Sequence, residues 1–293
     1  MGTADLSDAS ALSLRDRRTG RPLCVLITRP SDQAQATADL VQQAGGQALV
    51  VPCLVVAAPR PPLSASIEQT LRQVMAASLG PPILAVTSRN AVQALADALY
   101  RLQPAQTIEQ ALLGWQVAAV GPRTAQALAD LGRPADLVAG EATSAEPAED
   151  GSSAAQLASR LVIAHATGEP QPDVLFLRAA EARPTLPNAL RAAGFRVTEY
   201  EAYRMVPAPP EALMPLRDAL EQGRVDLVPF GSPRTVAIAL SALGSQAVSL
   251  LATTRVGAIG QTTAHALREA GIRVDAVGSQ ASFASLLCAL AAM

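Results

Sequence analysis

Three blocks of this 293-residue chain recur, in the same order, in its second half. Val25-Leu-Ile-Thr-Arg29 is answered by Val174-Leu-Phe-Leu-Arg178, and Ile83-Leu-Ala-Val-Thr-Ser-Arg-Asn-Ala-Val92 by Leu227-Val-Pro-Phe-Gly-Ser-Pro-Arg-Thr-Val236. Val117-Ala-Ala-Val-Gly-Pro-Arg-Thr-Ala-Gln-Ala-Leu128 is answered by Val256-Gly-Ala-Ile-Gly-Gln-Thr-Thr-Ala-His-Ala-Leu267. A repeat this long is a duplicated half-protein, not a solenoid unit. Two similar lobes would face each other across a cleft, where ligands bind.

Each half alternates short apolar runs with helical patterns. Leu23–Thr28, Ile83–Val86, Val117–Val120, Val174–Leu177, Asp226–Phe230 and Arg255–Ile259 read as strands. They are apolar throughout, as strands buried on both faces are. The patterns between them, such as Asn90–Leu102 and Thr235–Leu243, read as helices. That alternation predicts an α/β fold: two parallel-sheet lobes built from right-handed βαβ units.

Proline clusters at matching places, after Val51–Val56 and after Tyr203–Val206, suggest where the chain crosses between lobes. The expected division is a flexible tail over 1–22, one discontinuous lobe of 23–50 plus 207–293, and a second lobe of 57–202. Residues 51–56 and 203–206 would pair as a two-stranded β ladder. A plain split near residue 160 is the alternative. The segment 141–153, rich in Ala, Ser, Glu and Gly, reads as a loop, and Ser31 or Asp32 as an N-cap.

Composition narrows the function. Aromatics are 3%, too few for base-stacking platforms, and a formal net charge of −2 gives no field for a polyanion. Nucleic acid is therefore not an expected partner. Three cysteines (Cys24, Cys53, Cys288) and two histidines (His165, His265) show no metal-ligand spacing, so no metal is expected, and the cysteines read as buried small hydrophobes in a reducing cytoplasm. The first twenty residues lack the apolar core of a signal peptide. No apolar run reads as the ~20 residues of a membrane span. The expectation is a cytoplasmic monomer that binds a small molecule.

Polar residues gather where strands end and helices begin. These are Arg29, Thr87 with Ser88, Gly121 with Thr124, and Arg178 with Arg183; the second half adds Ser232, Gly260, Thr262 and Thr263. In parallel α/β sheets that carboxyl edge is where ligands bind. The free N–H groups and dipole of each helix start attract anions. Ser and Thr there are also ordinary helix caps, which leaves simple capping open at each position. No P-loop, GxGxxG or GxSxG occurs. Tyr203, beside Arg204 on the proposed crossing, is the best proton donor; packing of the hinge is its other reading.

These blocks resemble the uroporphyrinogen-III synthase family. The likeness rests on Val25-Leu-Ile-Thr-Arg-Pro, Val86-Thr-Ser-Arg-Asn-Ala-Val, Val120-Gly-Pro-Arg-Thr-Ala-Gln-Ala-Leu, Leu177-Arg ahead of Arg183 and Leu186, Ala202-Tyr-Arg, Phe230-Gly-Ser-Pro and Ala258-Ile-Gly-Gln-Thr-Thr-Ala, across roughly 23–290. The resemblance implies two α/β lobes on a two-stranded ladder and a substrate, hydroxymethylbilane, that is a linear tetrapyrrole with eight carboxylates. No cofactor is implied. The substrate would lose its hydroxyl as water and close with the last pyrrole inverted, through an azafulvenium cation and a spiro intermediate, which makes the enzyme a lyase. By this resemblance the general acid falls on Tyr203, and substrate contacts on Thr87, Ser88, Ser232, Thr262 and Thr263. Three positions depart from the family pattern: Ala179 for a glycine, Gly231 for a threonine and Gln261 for a proline. A two-lobed binding protein without catalysis and a sugar-phosphate or nucleotide enzyme are the rival readings.

Overall fold

The computed structural model describes residues 12–59, 67–102, 105–140, 153–166, 171–279 and 282–293. The chain divides into two compact units: Met1–Val55 with Val206–Met293, and Val56–Met205. Most of the loop expected over 141–153 lies outside the described residues.

The discontinuous unit holds a five-stranded sheet. Its strands are β1 (Cys24–Ile27), β2 (Gln47–Val50), β9 (Leu227–Phe230), β10 (Arg255–Ala258) and β11 (Ala276–Val277), in the order β11-β10-β9-β1-β2 and parallel throughout. The unit of residues 56–205 holds most of a six-stranded sheet. Here β3 (Leu54–Ala57), β4 (Ile83–Val86), β5 (Gln116–Val120), β6 (Leu137–Ala139), β7 (Val174–Ala179) and β8 (Val197–Pro207) take the order β3-β8-β7-β4-β5-β6. The strands from β6 to β8 are parallel. The chain's two passages between units both run in strands, β3 and β8, which are hydrogen-bonded neighbours. The α/β class and parallel sheets are those the periodicity predicts.

The strands are apolar along their whole length because both faces are covered. In β4, Ile83 and Ala85 enter one core while Leu84 and Val86 enter another. In β1, Val25 and Ile27 face one core and Leu26 the other. Helices supply the cover: α1 (Ser31–Gln43), α2 (Ile67–Ala77), α3 (Arg89–Leu102), α4 (Ile108–Ala111), α5 (Pro122–Asp130), α6 (Ser153–Ala164), α7 (Thr185–Ala192), α8 (Pro210–Glu221), α9 (Pro233–Leu243), α10 (Ala247–Leu251), α11 (Gln261–Glu269) and α12 (Phe283–Ala291).

Several local expectations need correction. The tail expected over 1–22 is packed from Leu12 onward: Leu14 is fully buried, and Arg15 bridges Pro22 in antiparallel fashion. The pairing is guided by α1, whose end is a Schellman turn. Gly45 N–H donates to Gln42 O and Gly46 N–H to Val41 O, with Gly45 at φ 80°. A side chain on Gly46 would lie 2.9 Å from Leu14 Cβ, so only glycine lets the N-terminal segment this close. The residue capping α1 is Pro30, without a side-chain bond, rather than Ser31 or Asp32.

Only Cys53 among the cysteines is fully buried; Cys24 and Cys288 are half-buried. Burial pushes the Cys53 thiol up to about 12, so it is protonated and inert at neutral pH. Contrary to the sequence expectation, Pro233–Leu251 is long and apolar enough to cross a membrane by length and composition, with mean hydropathy 1.3. In the fold it breaks at Gly244 (φ 60°) into α9, a 3-10 turn and α10. Val236, Ala239 and Leu243 pack into the core.

The duplication extends to scaffolding that strand patterns do not reveal. At the start of β5, Asp136 accepts from Val117 N–H (2.7 Å) and Arg133 donates to Trp115 O (2.7 Å). At the start of β10, Asp275 accepts from Val256 N–H (2.8 Å) and Arg273 donates to Thr254 O (3.1 Å). Trp115, Val117 and Asp136 lie 139 positions before Thr254, Val256 and Asp275, and Arg133 lies 140 before Arg273. Burial alone would raise the Asp136 carboxyl; hydrogen bonds from Arg133 and Val117 outweigh it, and the group sits below its ordinary range. Its folded value being depressed, its stabilisation is present above the unfolded carboxylate pKa and is lost as pH falls through the folded value. Asp136→Ala should lower the urea midpoint at pH 7, and the gap to wild type should close as the pH drops below about 4. An equal gap at pH 7 and pH 3 would rule this out.

Candidate active site

Each unit presents its own carboxyl edge. In the unit of residues 56–205, Val86 pairs with Ala119 on one side and Leu177 on the other. Two residues on, that register sets Ser88 level with Gly121 and Ala179, and Ala179 is paired with Tyr203. Thr87, Ser88, Gly121 and Tyr203 are thus brought to one edge.

Their local roles differ. Ser88 caps α3, its Oγ accepting from Ala91 N–H at 3.2 Å. Gly121 caps α5 at φ 79°, a left-handed conformation that favours glycine, and a Cβ there would meet open space. Thr124, three residues on, is 4% exposed and belongs to the interior. Tyr203 is 8% exposed, its ring among the apolar residues of α2, α3, β4 and β7. It lines a pocket of about 380 Å3, opposite the α3 stripe Asn90, Gln93, Asp97 and Arg101. That stripe was not singled out in the sequence, although its helical spacing is its signal. Gln93, Asp97 and Arg101 are exposed and Asn90 is half-buried, so the pocket joins a solvent-facing polar wall to a hydrophobic floor.

Arg178 is not offered to the edge as expected. Its guanidinium lies with Glu199 (Nε–Oε2 2.8 Å, off the N–H axis) and Glu201 (3.7 Å), and donates to Ala179 O and Ala180 O. Arg183 is exposed in the loop between β7 and α7.

In the discontinuous unit, Phe230 pairs with Ala258 and Val25 with Leu227, so Arg29, Ser232 and Gly260 come to its carboxyl edge. Arg29 donates to Thr37 Oγ1 (2.9 Å) and Gln33 Oε1 (2.8 Å), and its guanidinium carbon stands 4.2 Å from the Phe283 ring centroid. Such a held cation over an aromatic face is stable without a further anion. Phe283, invisible as a site residue in the sequence, also explains Gly231: a Cβ there would lie 2.9 Å from the ring. Ser232 caps α9 through Thr235 N–H (3.2 Å). Gly260 caps α11 in extended backbone with open space beside it. Thr262 is exposed at the second position of α11, whereas Thr263 is 3% exposed, like its counterpart Thr124.

Both edges therefore combine an open glycine, a capping serine and the start of long helices, a layout that receives anions through backbone N–H groups. His165 bonds Gln116 (3.0 Å) and meets Phe195 edge-on, while exposed His265 faces Glu269. Neither joins an edge described above. Among the described residues no group of three His, Cys, Asp or Glu side chains could hold a metal ion. Three larger cavities, about 560, 750 and 440 Å3, lie around Trp115 and His165, between α8 and α9, and around Leu12 and Cys288; none contains Tyr203 or a capping serine.

Comparison with known proteins matches the chain to a family. The family model "Uroporphyrinogen-III synthase HemD" matches residues 35–288. A protein of Methanothermobacter thermautotrophicus named "Putative uroporphyrinogen-III synthase" is 30% identical over 84% of this chain and 89% of its own length. The uroporphyrinogen-III synthase of Chlorobaculum parvum is 27% identical over 86% of this chain and 92% of its own. The crystal structure of the Helicobacter pylori enzyme of that name shares the fold, with a TM-score of 0.53 at 18% identity over 90% of this chain and 95% of the other. The chain belongs to the uroporphyrinogen-III synthase family.

Proposed function

We propose that this chain is a lyase that closes hydroxymethylbilane to uroporphyrinogen III, with loss of water and inversion of the last pyrrole ring. The observation that carries the reading is the family match over residues 35–288. Around it stand two carboxyl edges rich in helix starts and an interior tyrosine beside a polar pocket.

In this reading the substrate's carboxylates are taken by backbone N–H groups near Gly121 and Gly260, with the Thr87 and Thr262 hydroxyls beside them. Ser88 and Ser232 hold the helix starts in place. Tyr203 gives its phenolic proton to the departing hydroxyl, so the C–O bond breaks with water as leaving group and an azafulvenium cation remains. The terminal ring attacks that cation at its substituted carbon; in the spiro intermediate the bond from that carbon to the neighbouring bridge breaks and re-forms at the ring's other α-carbon, whose proton is released and restores the phenol. Orientation of the folded tetrapyrrole supplies the selectivity, because the unguided chain closes to isomer I. We further propose that residues 23–50 with 207–293 and residues 57–202 act as the two lobes. The chain is proposed to work as a cytoplasmic monomer with a small-molecule substrate, without nucleic acid or membrane.

Purified protein given hydroxymethylbilane, without added metal or nucleotide, should yield more isomer III than isomer I after oxidation of the products. Isomer I alone would sink the reading. Loss of activity with a chelator, restored by a divalent ion, would remove its cofactor-free form.

A further inference from the structure

Strand β8 carries one residue too many for its partner. Arg178 pairs with Glu201, but the next residue, Ala179, pairs with Tyr203, so Ala202 is the extra residue of a β-bulge. Side chains alternate along a strand, and one inserted residue reverses that alternation beyond it. The reversal is visible in the packing. Up to the bulge Tyr200 and the inserted Ala202 contact the core under α2 and α3; beyond it Tyr203 and Met205 do. Without the bulge Tyr203 would share the face of Glu199 and Glu201, away from its pocket.

The bulge lies where one guanidinium holds both strands. Arg178 Nη1 donates to Ala179 O (3.0 Å) and Ala180 O (2.9 Å), just past the register shift, and Ala180 N–H donates to Tyr203 O (2.8 Å). The rest of the same group meets Glu199 and Glu201 of β8. Glu199 is held in turn by Arg191 (2.9 Å). A planar fork can span two carbonyls and two carboxylates at once; a single ammonium cannot.

We propose that Arg178 is a positioning residue: it fixes the β7–β8 bulge and so turns the Tyr203 phenol into its pocket. This rests on Tyr203 acting in the proposed reaction, but the geometric part stands apart from that role. Arg178 touches no substrate and transfers no proton.

The test uses the full chain labelled with 3-fluorotyrosine, whose three tyrosines give separate fluorine resonances. The Tyr203 line is assigned by its loss in Tyr203→Phe, and Tyr100, 66% exposed, is the control. In Arg178→Gln and Arg178→Lys the Tyr203 line should move or broaden while that of Tyr100 stays. The isomer III assay on the same variants should show kcat down on the order of tenfold to a hundredfold, as for a displaced catalytic group, with KM little changed. Arg178→Gln combined with Tyr203→Phe should lose no more than Tyr203→Phe alone. A Tyr203 resonance unmoved in a folded variant overturns the proposal, as does a raised KM at unchanged kcat, which would make Arg178 a carboxylate contact. If Arg178→Gln does not fold, Arg178→Lys carries the same comparison. Should the wild type make only isomer I, the proposed function falls, and the fluorine spectra still decide whether Arg178 sets the tyrosine.

Discussion

Replacing Tyr203 by phenylalanine should lower isomer III turnover on the order of 10²-fold, as loss of a general acid does, while leaving the fold intact. The change removes one oxygen from a ring that is 8% exposed and packed in the core, so the ring keeps its apolar contacts. The stability cost of the lost hydroxyl is about 1 kcal/mol. KM should move little, because the carboxylates are assigned to backbone groups elsewhere. The substrate's own tendency to ionise sets a floor beneath the loss. Single-turnover rates for the variant and the wild type, with urea midpoints alongside, measure both halves. Equal turnover would reduce Tyr203 to a packing residue and leave catalysis to substrate folding.

Gly231→Thr, which restores the family's usual residue, should destabilise this chain by about 1–3 kcal/mol, as overpacking does. The new Cβ would stand 2.9 Å from the Phe283 ring edge, and that ring is buried, with the Arg29 guanidinium over its face. The ring cannot give way without disturbing Arg29 and its bonds to Thr37 and Gln33. Phe283→Leu shortens the offending side chain, so the double variant should recover part of the loss. An unchanged urea midpoint for Gly231→Thr would show that Phe283 moves freely.

Some of these features are written locally in the sequence and others are not. Strands such as β4 were legible because fully apolar four-residue runs between helical patterns have few other solutions. Ser88, Gly121, Ser232 and Gly260 were legible as edge residues because a parallel sheet fixes which end of a strand meets a helix start. What was hidden depended on contacts between distant segments. Nothing near Gly231 announces Phe283, and nothing near Arg178 announces that β8 holds Glu199 and Glu201 beside it. The packed segment at Leu14 was hidden for the same reason: its partner is the glycine turn at the end of α1. A bulge, finally, is a mismatch between two strands and has no local signature.

Strand β1 is made first yet lies between β2 and β9, with Val25 beside Leu227. During synthesis that slot must wait for a strand on the order of two hundred residues downstream, and closing so long a loop is slow. Every strand of the other sheet has meanwhile left the ribosome. The nested unit therefore finishes before the unit that contains β1, reversing the order in which their first strands emerge. Through that interval the apolar edge of Val25, Leu26 and Ile27 lacks its neighbour, which is the hazard an open strand edge poses. A released chain ending just short of Leu227 would hold one completed sheet and one unfinished, and it is the unfinished one that would call for a chaperone.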